Sequence, residues 1–360
     1  MSGHELLTFL VSGYSVGFAL VNLHLATKKL QTAPQSPVEG DENLTFSVYD
    51  ANSSTVFAIH EVDQHPETNG SDGALSAWQW KPEESSLTRQ QIVSSQGQGP
   101  AHVAQNPTNG QLWVSNYGAG TLAVYSTRQG QIKDLLLHVK VPQGSQVNSD
   151  RQMAAHIHGA FFFREFAYVV DLGSDAIYTY RMTGPDAVQE VDRVGYSSQP
   201  GSGPRHLAID EAHERAYLLN ELKNTVEVLS INTTSGGLSR LAIVNYQIPN
   251  ATQGVQQYGA GIHVHPNGKF LYLSNRGDGA IVVYSIQPAA KNYLKLEQTF
   301  KTQGTWPRSF TITQDGHFML VPDQFLDVIE LLSVDPASGQ LSLLDSMPTI
   351  KAPAIVTQLN

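Results

Sequence analysis

Five short stretches carry side chains that bind anions and move protons: HIHGA (156–160), GPRH (203–206), LNELKN (219–224), SNRGDG (274–279) and WPRS (306–309). They contain His156, His158, Arg205, His206, Glu221, Arg276 and Arg308. Guanidinium forks hold carboxylates and phosphates and stabilise oxyanions, and a histidine or glutamate beside them can transfer a proton. If the fold gathers these stretches, the result is an anion clamp next to one acid–base group.

Other chemistries lack their residues. The chain has no Cys, so thiolate catalysis, disulfides and Cys-ligated zinc are excluded. It contains no Gly-x-x-x-x-Gly-Lys-Ser/Thr loop and no nucleotide-binding βαβ pattern. Two His-x-His pairs, His156/His158 and His263/His265, can place their rings on one strand face, but no companion carboxylate stands at fixed spacing from them. No metal and no cofactor is expected.

The elements that must position these residues show as a repeat. HVAQNPTNGQLWVSNYGAGTLAVYS (102–126) and IHVHPNGKFLYLSNRGDGAIVVYSI (262–286) both read strand, Asn-Gly turn, strand ending in Ser-Asn, Gly-rich turn, strand. A large apolar residue in the middle of the second strand recurs at Leu10, Phe57, Trp113, Tyr168, Tyr217, Tyr272 and Leu320, in steps of 47, 56, 55, 49, 55 and 48 residues. Such a period with three or four strands per unit predicts an all-β, seven-bladed β-propeller spanning residues 1–360 as one domain. The first unit starts on its second strand, LLTFLVSGY, while APAIVTQLN at the C-terminus is a lone inner strand. These are expected to pair and close the ring, removing two sheet edges.

In an antiparallel hairpin, the start of one strand and the end of the next lie at the same end. His102, His156, His158, Arg205, His206, Arg308 and, slightly deeper, His263 occupy the starts. Tyr14, Glu61, Tyr117, Leu172, Glu221, Arg276 and Gln324 follow the second strands. With Lys and Arg totalling only 22, this convergence on one rim marks it as the candidate site. A purely structural use of each residue stays open: histidines at strand starts are commonly packing residues, Arg205 and Arg308 can tie blades through carbonyls, and Glu221 can be the salt-bridge partner of Arg205.

Composition narrows the partners. A formal net charge of −10 without basic runs argues against nucleic acid or an anionic membrane. The N-terminal stretch lacks a basic region and an unbroken apolar core, and no segment is long enough for a membrane helix, so a cytoplasmic location is expected. Asn-x-Ser/Thr triplets at Asn43, Asn52, Asn69, Asn232 and Asn250 are compatible with secretion, although polar loops produce them by chance. Oligomeric state is not specified by the sequence.

GPRHLAID with LLNELKNTVEV, GIHVHPNGKFLYLSNRGDG, HIHGAFFF with VVDLGSDAI, and GTWPRSFTI resemble the seven-bladed lactonase propellers. That family includes bacterial 6-phosphogluconolactonases and fungal carboxy-cis,cis-muconate lactonising enzymes. The resemblance covers nearly the whole chain. It implies catalytic roles for His158, Arg205, Glu221 and Arg276, and the rim residues read from the hairpins, His102, Tyr117, His156, Glu61, His263, Arg308 and Gln324, are then expected to line the substrate. It further implies a metal-independent lactonase for a small anionic sugar-type lactone, such as a 6-phosphogluconolactone. The arginines would hold the anion and polarise the carbonyl, and His158, tuned by Glu221, would activate water. Cyclisation of a muconate is the alternative reaction, and a non-catalytic binding platform the alternative role. Bacterial relatives usually carry an acidic residue where this chain has Gly261, and the shortened FFFREF turn leaves open which of His156 and His158 faces the site.

Overall fold

The computed structural model describes residues 6–360 apart from 35, 37, 69 and 291, and only the backbone at 39, 192 and 193. Asn69 therefore lies outside the described residues.

Seven antiparallel sheets form the blades. Blade 1 runs outward through Pro353–Gln358, Leu6–Gly13, Val16–His24 and Lys29–Thr32, with Val38–Glu42 also pairing with its third strand. Blades 2 to 7 begin on the inner strands Phe46–Asp50, Pro100–Gln105, Ile157–Phe163, Pro204–Asp210, Tyr258–Val264 and Thr311–Ile312. Their second strands are Thr55–His60, Leu112–Asn116, Phe166–Asp171, Arg215–Asn220, Phe270–Arg276 and Phe318–Asp323. Ring closure follows the expected pairing: Phe9 opposes Gln358 and Ser12 opposes Ile355 in the sheet that joins the two ends of the chain.

All seven anchor residues lie in second strands and are essentially inaccessible to solvent. Burying an anchor of this size contributes about 2–3 kcal/mol. The apolar side chains collect into seven clusters, each shared by two neighbouring blades. Blades 5 and 6 share Tyr217, Val228, Leu271 and Val282, and blades 7 and 1 share Phe9, Val11, Leu320 and Leu331. A two-sided apolar sheet thus buries both faces against its neighbours, which leaves the inner strand ends as the positions for polar chemistry. The one helical turn among the described residues is Pro82–Glu84.

Candidate active site

The residue following the second strand is locked to the rim by one repeated backbone bond. The N–H of Glu221 donates to Gly203 O (2.7 Å), that of Tyr117 to Gly99 O (2.9 Å), of Leu172 to His156 O (3.0 Å), of Glu61 to Asn43 O (2.9 Å), of Tyr14 to Ala352 O (3.0 Å) and of Gln324 to Trp306 O (3.2 Å). Each acceptor lies on the segment entering the inner strand of the same blade, so strand start and strand end meet as the hairpin argument requires. Gly203 is needed at its position: its φ of +64° is left-handed, and a Cβ there would meet Leu222 at 2.5 Å.

Regular pairing would send neighbouring side chains to opposite faces. The register instead slips at the start of the inner strands: Ile157 pairs with Asp171 and Gly159 with Val170, leaving His158 extra, and Pro204 pairs with Asn220 and His206 with Leu219, leaving Arg205 extra. These bulges re-aim side chains at a rim. Arg205 and His206 consequently stay together, with Arg205 Nη1 3.4 Å from the imidazole nitrogens.

Glu221 sits at the centre, 3% exposed, and three guanidinium groups surround its carboxylate. Arg205 Nε lies 3.1 Å and Arg276 Nη2 2.8 Å from Oε2, while Arg151 Nη2 lies 2.7 Å from Oε1. Burial alone would raise the Glu221 carboxyl, but Arg276, Arg205 and Arg151 outweigh it and hold the group well below the usual carboxylate range. Arg205 Nη1 also donates to Ala260 O, tying blade 5 to blade 6, and Arg276 Nη2 donates to Gly259 O at 3.0 Å. Arg276 stands over the rings of Trp306 (5.5 Å) and Tyr258 (5.8 Å), whose faces favour a cation.

A second carboxylate cluster adjoins the first. Glu61 accepts from Thr45 Oγ1 at 2.6 Å, lies 2.9 Å from Tyr14 Oη and pairs with Arg308 Nη2 at 3.3 Å. Four guanidinium groups thus face two carboxylates, an excess of two positive charges in a chain whose net charge is −10. Among the described residues Arg205 Nη2 and Nη1 of Arg151, Arg276 and Arg308 make no hydrogen bond.

The two histidines of HIHGA occupy different surroundings. His156 stacks on Tyr117 (4.3 Å) and its Nδ1 lies 2.9 Å from Tyr117 O. His158 is 4% exposed, edge-on to Tyr117 (5.6 Å) and His206 (5.2 Å), with Nδ1 buried and without a hydrogen-bond partner. Burial first, then the Arg205 charge, depress its basicity well below the ordinary histidine value. Glu221 makes no hydrogen bond to His158; it opposes that depression through space while its oxygens serve the arginines.

His102 and His263, both expected at the substrate, sit among aromatic rings. His102 packs against Phe46 (4.3 Å), His206 (5.3 Å) and Phe161 (5.4 Å), forming a floor of rings beneath the arginines. His263 lies against Phe310 (4.9 Å) and lines a channel cavity of about 410 Å³ together with His102 and His206. Neither His-x-His pair converges: His265 spends one ring nitrogen on Gly316 O and the other on the Asn267 N–H. Gln324 stays at the rim of blade 7 with its Oε1 buried and unpaired. At Gly261 a Cβ would stand 3.3 Å from Ser309 and Phe310, so a side chain there would require these neighbours to give by a few tenths of an ångström. Arg151 escapes sequence reasoning because it comes from the loop between blades 3 and 4, outside the repeat; its nearest signal is the Asn148 turn that bends the loop back.

The buried imidazoles predict acid sensitivity. Burial lowers His60 and His102 to about 3, and burial with Arg205 depresses His158 and His206. All four are neutral in the fold and take up a proton near 6.5 when unfolded, so stability is complete above that value and is lost as pH falls toward the folded values. Glu330, raised to about 7 by burial, works in the opposite sense, as do Asp171 and Asp323. The urea midpoint is expected to fall between pH 7 and 5, and less steeply in His102→Phe, whose new ring would sit between Phe46 and Phe161. Equal slopes would contradict a neutral His102.

Comparison with known proteins follows the same lines. The family model described as "Lactonase, 7-bladed beta-propeller" matches residues 8–358. The chain is 28% identical over 323 residues to the 6-phosphogluconolactonase of Bacillus subtilis (88% of each chain) and 30% identical over 328 residues to that of Formosa agariphila (88% of this chain, 89% of that one). A crystal structure from Lactobacillus plantarum superposes with a TM-score of 0.87 at 26% identity, covering 99% of this chain and 100% of the other. The periplasmic gluconolactonase PpgL of Pseudomonas aeruginosa shares the fold at a TM-score of 0.87 and 24% identity, with 98% and 99% covered. No helix among the described residues is long and apolar enough to cross a membrane.

Proposed function

Because the chain belongs to the seven-bladed β-propeller lactonase family, we propose that it hydrolyses a small anionic lactone of the sugar type at the arginine rim, with 6-phosphogluconolactone the leading candidate. The observation that carries this reading is the charge excess: four guanidinium groups are anchored by two carboxylates and retain unspent N–H donors. An arrangement built only for structure would pair its charges. The relatives of the Bacillus and Formosa type are phosphogluconolactonases, and nothing among them favours muconate cyclisation.

The unspent donors of Arg205 and Arg276 bind the lactone carbonyl, and their charge stabilises the oxyanion formed when water attacks its carbon. Arg151 and Arg308 hold the remote anionic substituent. His158, neutral in the free protein, accepts the proton of the attacking water and returns one to the ring oxygen as the C–O bond breaks, giving the hydroxy acid. Burial and then the Arg205 charge depress its basicity, and the oxyanion that forms beside Arg205 offsets the second of these as the proton is taken up. Glu221 orders the arginines and is not the base.

His158→Ala is expected to lower acid release from the lactone by about 10²–10⁴-fold with little change in unfolding midpoint. A pH-indicator assay decides this, and unchanged turnover would reject His158 as the proton acceptor.

A further inference from the structure

Away from the arginine cluster, three residues from separate segments converge: Asp41 on Val38–Glu42, His60 at the end of Thr55–His60, and His65 in the loop that follows. One ligand atom from each lies within 4.8 Å of the others. His60 is completely buried, and its Nε2 is 2.8 Å from Ser76 Oγ. That hydroxyl accepts from Trp78 Nε1 (2.7 Å) and has Ala58 O at 3.2 Å as an acceptor for its own proton, which leaves it able to accept from His60 Nε2 as well. In that arrangement the proton of His60 is on Nε2, and Nδ1 carries a lone pair. That Nδ1 is buried without a hydrogen-bond partner and faces Asp41 Oδ2 at 3.9 Å. A bare imidazole lone pair opposite a carboxylate and a second imidazole calls for a cation between them.

We propose that Asp41, His60 and His65 form a binding site for a divalent transition-metal ion, zinc by the chemistry of its donors, with water completing a tetrahedron. Two imidazoles and a carboxylate are a known zinc donor set, and donors about 2.0–2.2 Å from the ion lie closer together than these do, so the site tightens on binding. Outer partners are in place: Ser76 orients His60, and Arg89 hydrogen-bonds Asp41 while pairing with Glu67 at 2.8 Å. One guanidinium between two carboxylates leaves a negative charge to receive the dication. His65 Nδ1 takes the Glu67 N–H at 3.2 Å, leaving Nε2 to coordinate; the ring proton then moves to Nδ1 and that contact opens. Binding is therefore coupled to the 61–73 loop, whose first residue is Glu61 of the arginine rim.

The test uses untagged, chelator-treated full-length protein titrated with Co²⁺ and followed by visible absorption, then with Zn²⁺. One equivalent of Co²⁺ should produce tetrahedral d–d bands that Zn²⁺ abolishes. His65→Ala and Asp41→Asn, their folding checked by unfolding midpoint in EDTA, should bind at least about tenfold more weakly. Absence of both the bands and any Zn²⁺ binding heat, or equal affinity in folded His65→Ala, would overturn the site.

Discussion

Arg205→Lys is expected to lower kcat/KM on an anionic lactone by about 10²–10³-fold, the range seen when one oxyanion donor is removed. Lysine keeps the charge but loses the planar fork. Arg205 sets its Nε side against the Glu221 carboxylate as an ion pair, gives Nη1 to Ala260 O and retains Nη2, and no single ammonium can span those positions. Arg276 and Arg151 still neutralise Glu221 in the variant, so the fold survives. Steady-state rates and a urea curve on the same preparation separate the outcomes. A rate within about threefold of wild type would mean that Arg205 ties blades and does no more, because loss of an oxyanion donor cannot be that mild.

Glu221→Gln is expected to destabilise the protein by about 3–5 kcal/mol, the usual consequence of removing one partner from a buried ion pair. The amide matches the carboxylate in shape but leaves Arg205 and Arg276, 2% and 6% exposed, without their counter-charge. Inorganic phosphate should restore part of the loss, because an anion can take the place of the missing charge; the urea midpoint with and without phosphate measures it. Were Glu221 the proton acceptor instead, the variant would lose turnover while keeping its midpoint.

The architecture was legible because each blade must bury a large residue in the middle of its second strand, and all seven such positions are buried. The rim was legible for the same reason: once the strand ends are known, hairpin geometry puts Glu61, Tyr117, Glu221 and Arg276 at one end. What the pattern hides is local register. The bulges at the starts of the inner strands of blades 3 to 6 add residues without altering hydrophobic alternation elsewhere, so the depth of His102 and His263 and the separate surroundings of His156 and His158 could not be read from spacing. Arg151 was hidden because loops between blades carry no repeat position. The Asp41, His60 and His65 convergence was hidden because its parts belong to a strand of blade 1 and a hairpin end of blade 2, joined only by packing.

The most direct measurement is acid release by the wild-type protein from 6-phosphogluconolactone and from unphosphorylated gluconolactone, each corrected for spontaneous hydrolysis, at low and high salt. The arginine rim predicts turnover of the phosphorylated lactone at least about tenfold more efficient, with the advantage shrinking as salt screens the rim charges. No release above background from either lactone would contradict a lactonase, and equal, salt-insensitive rates would contradict an anion-binding rim.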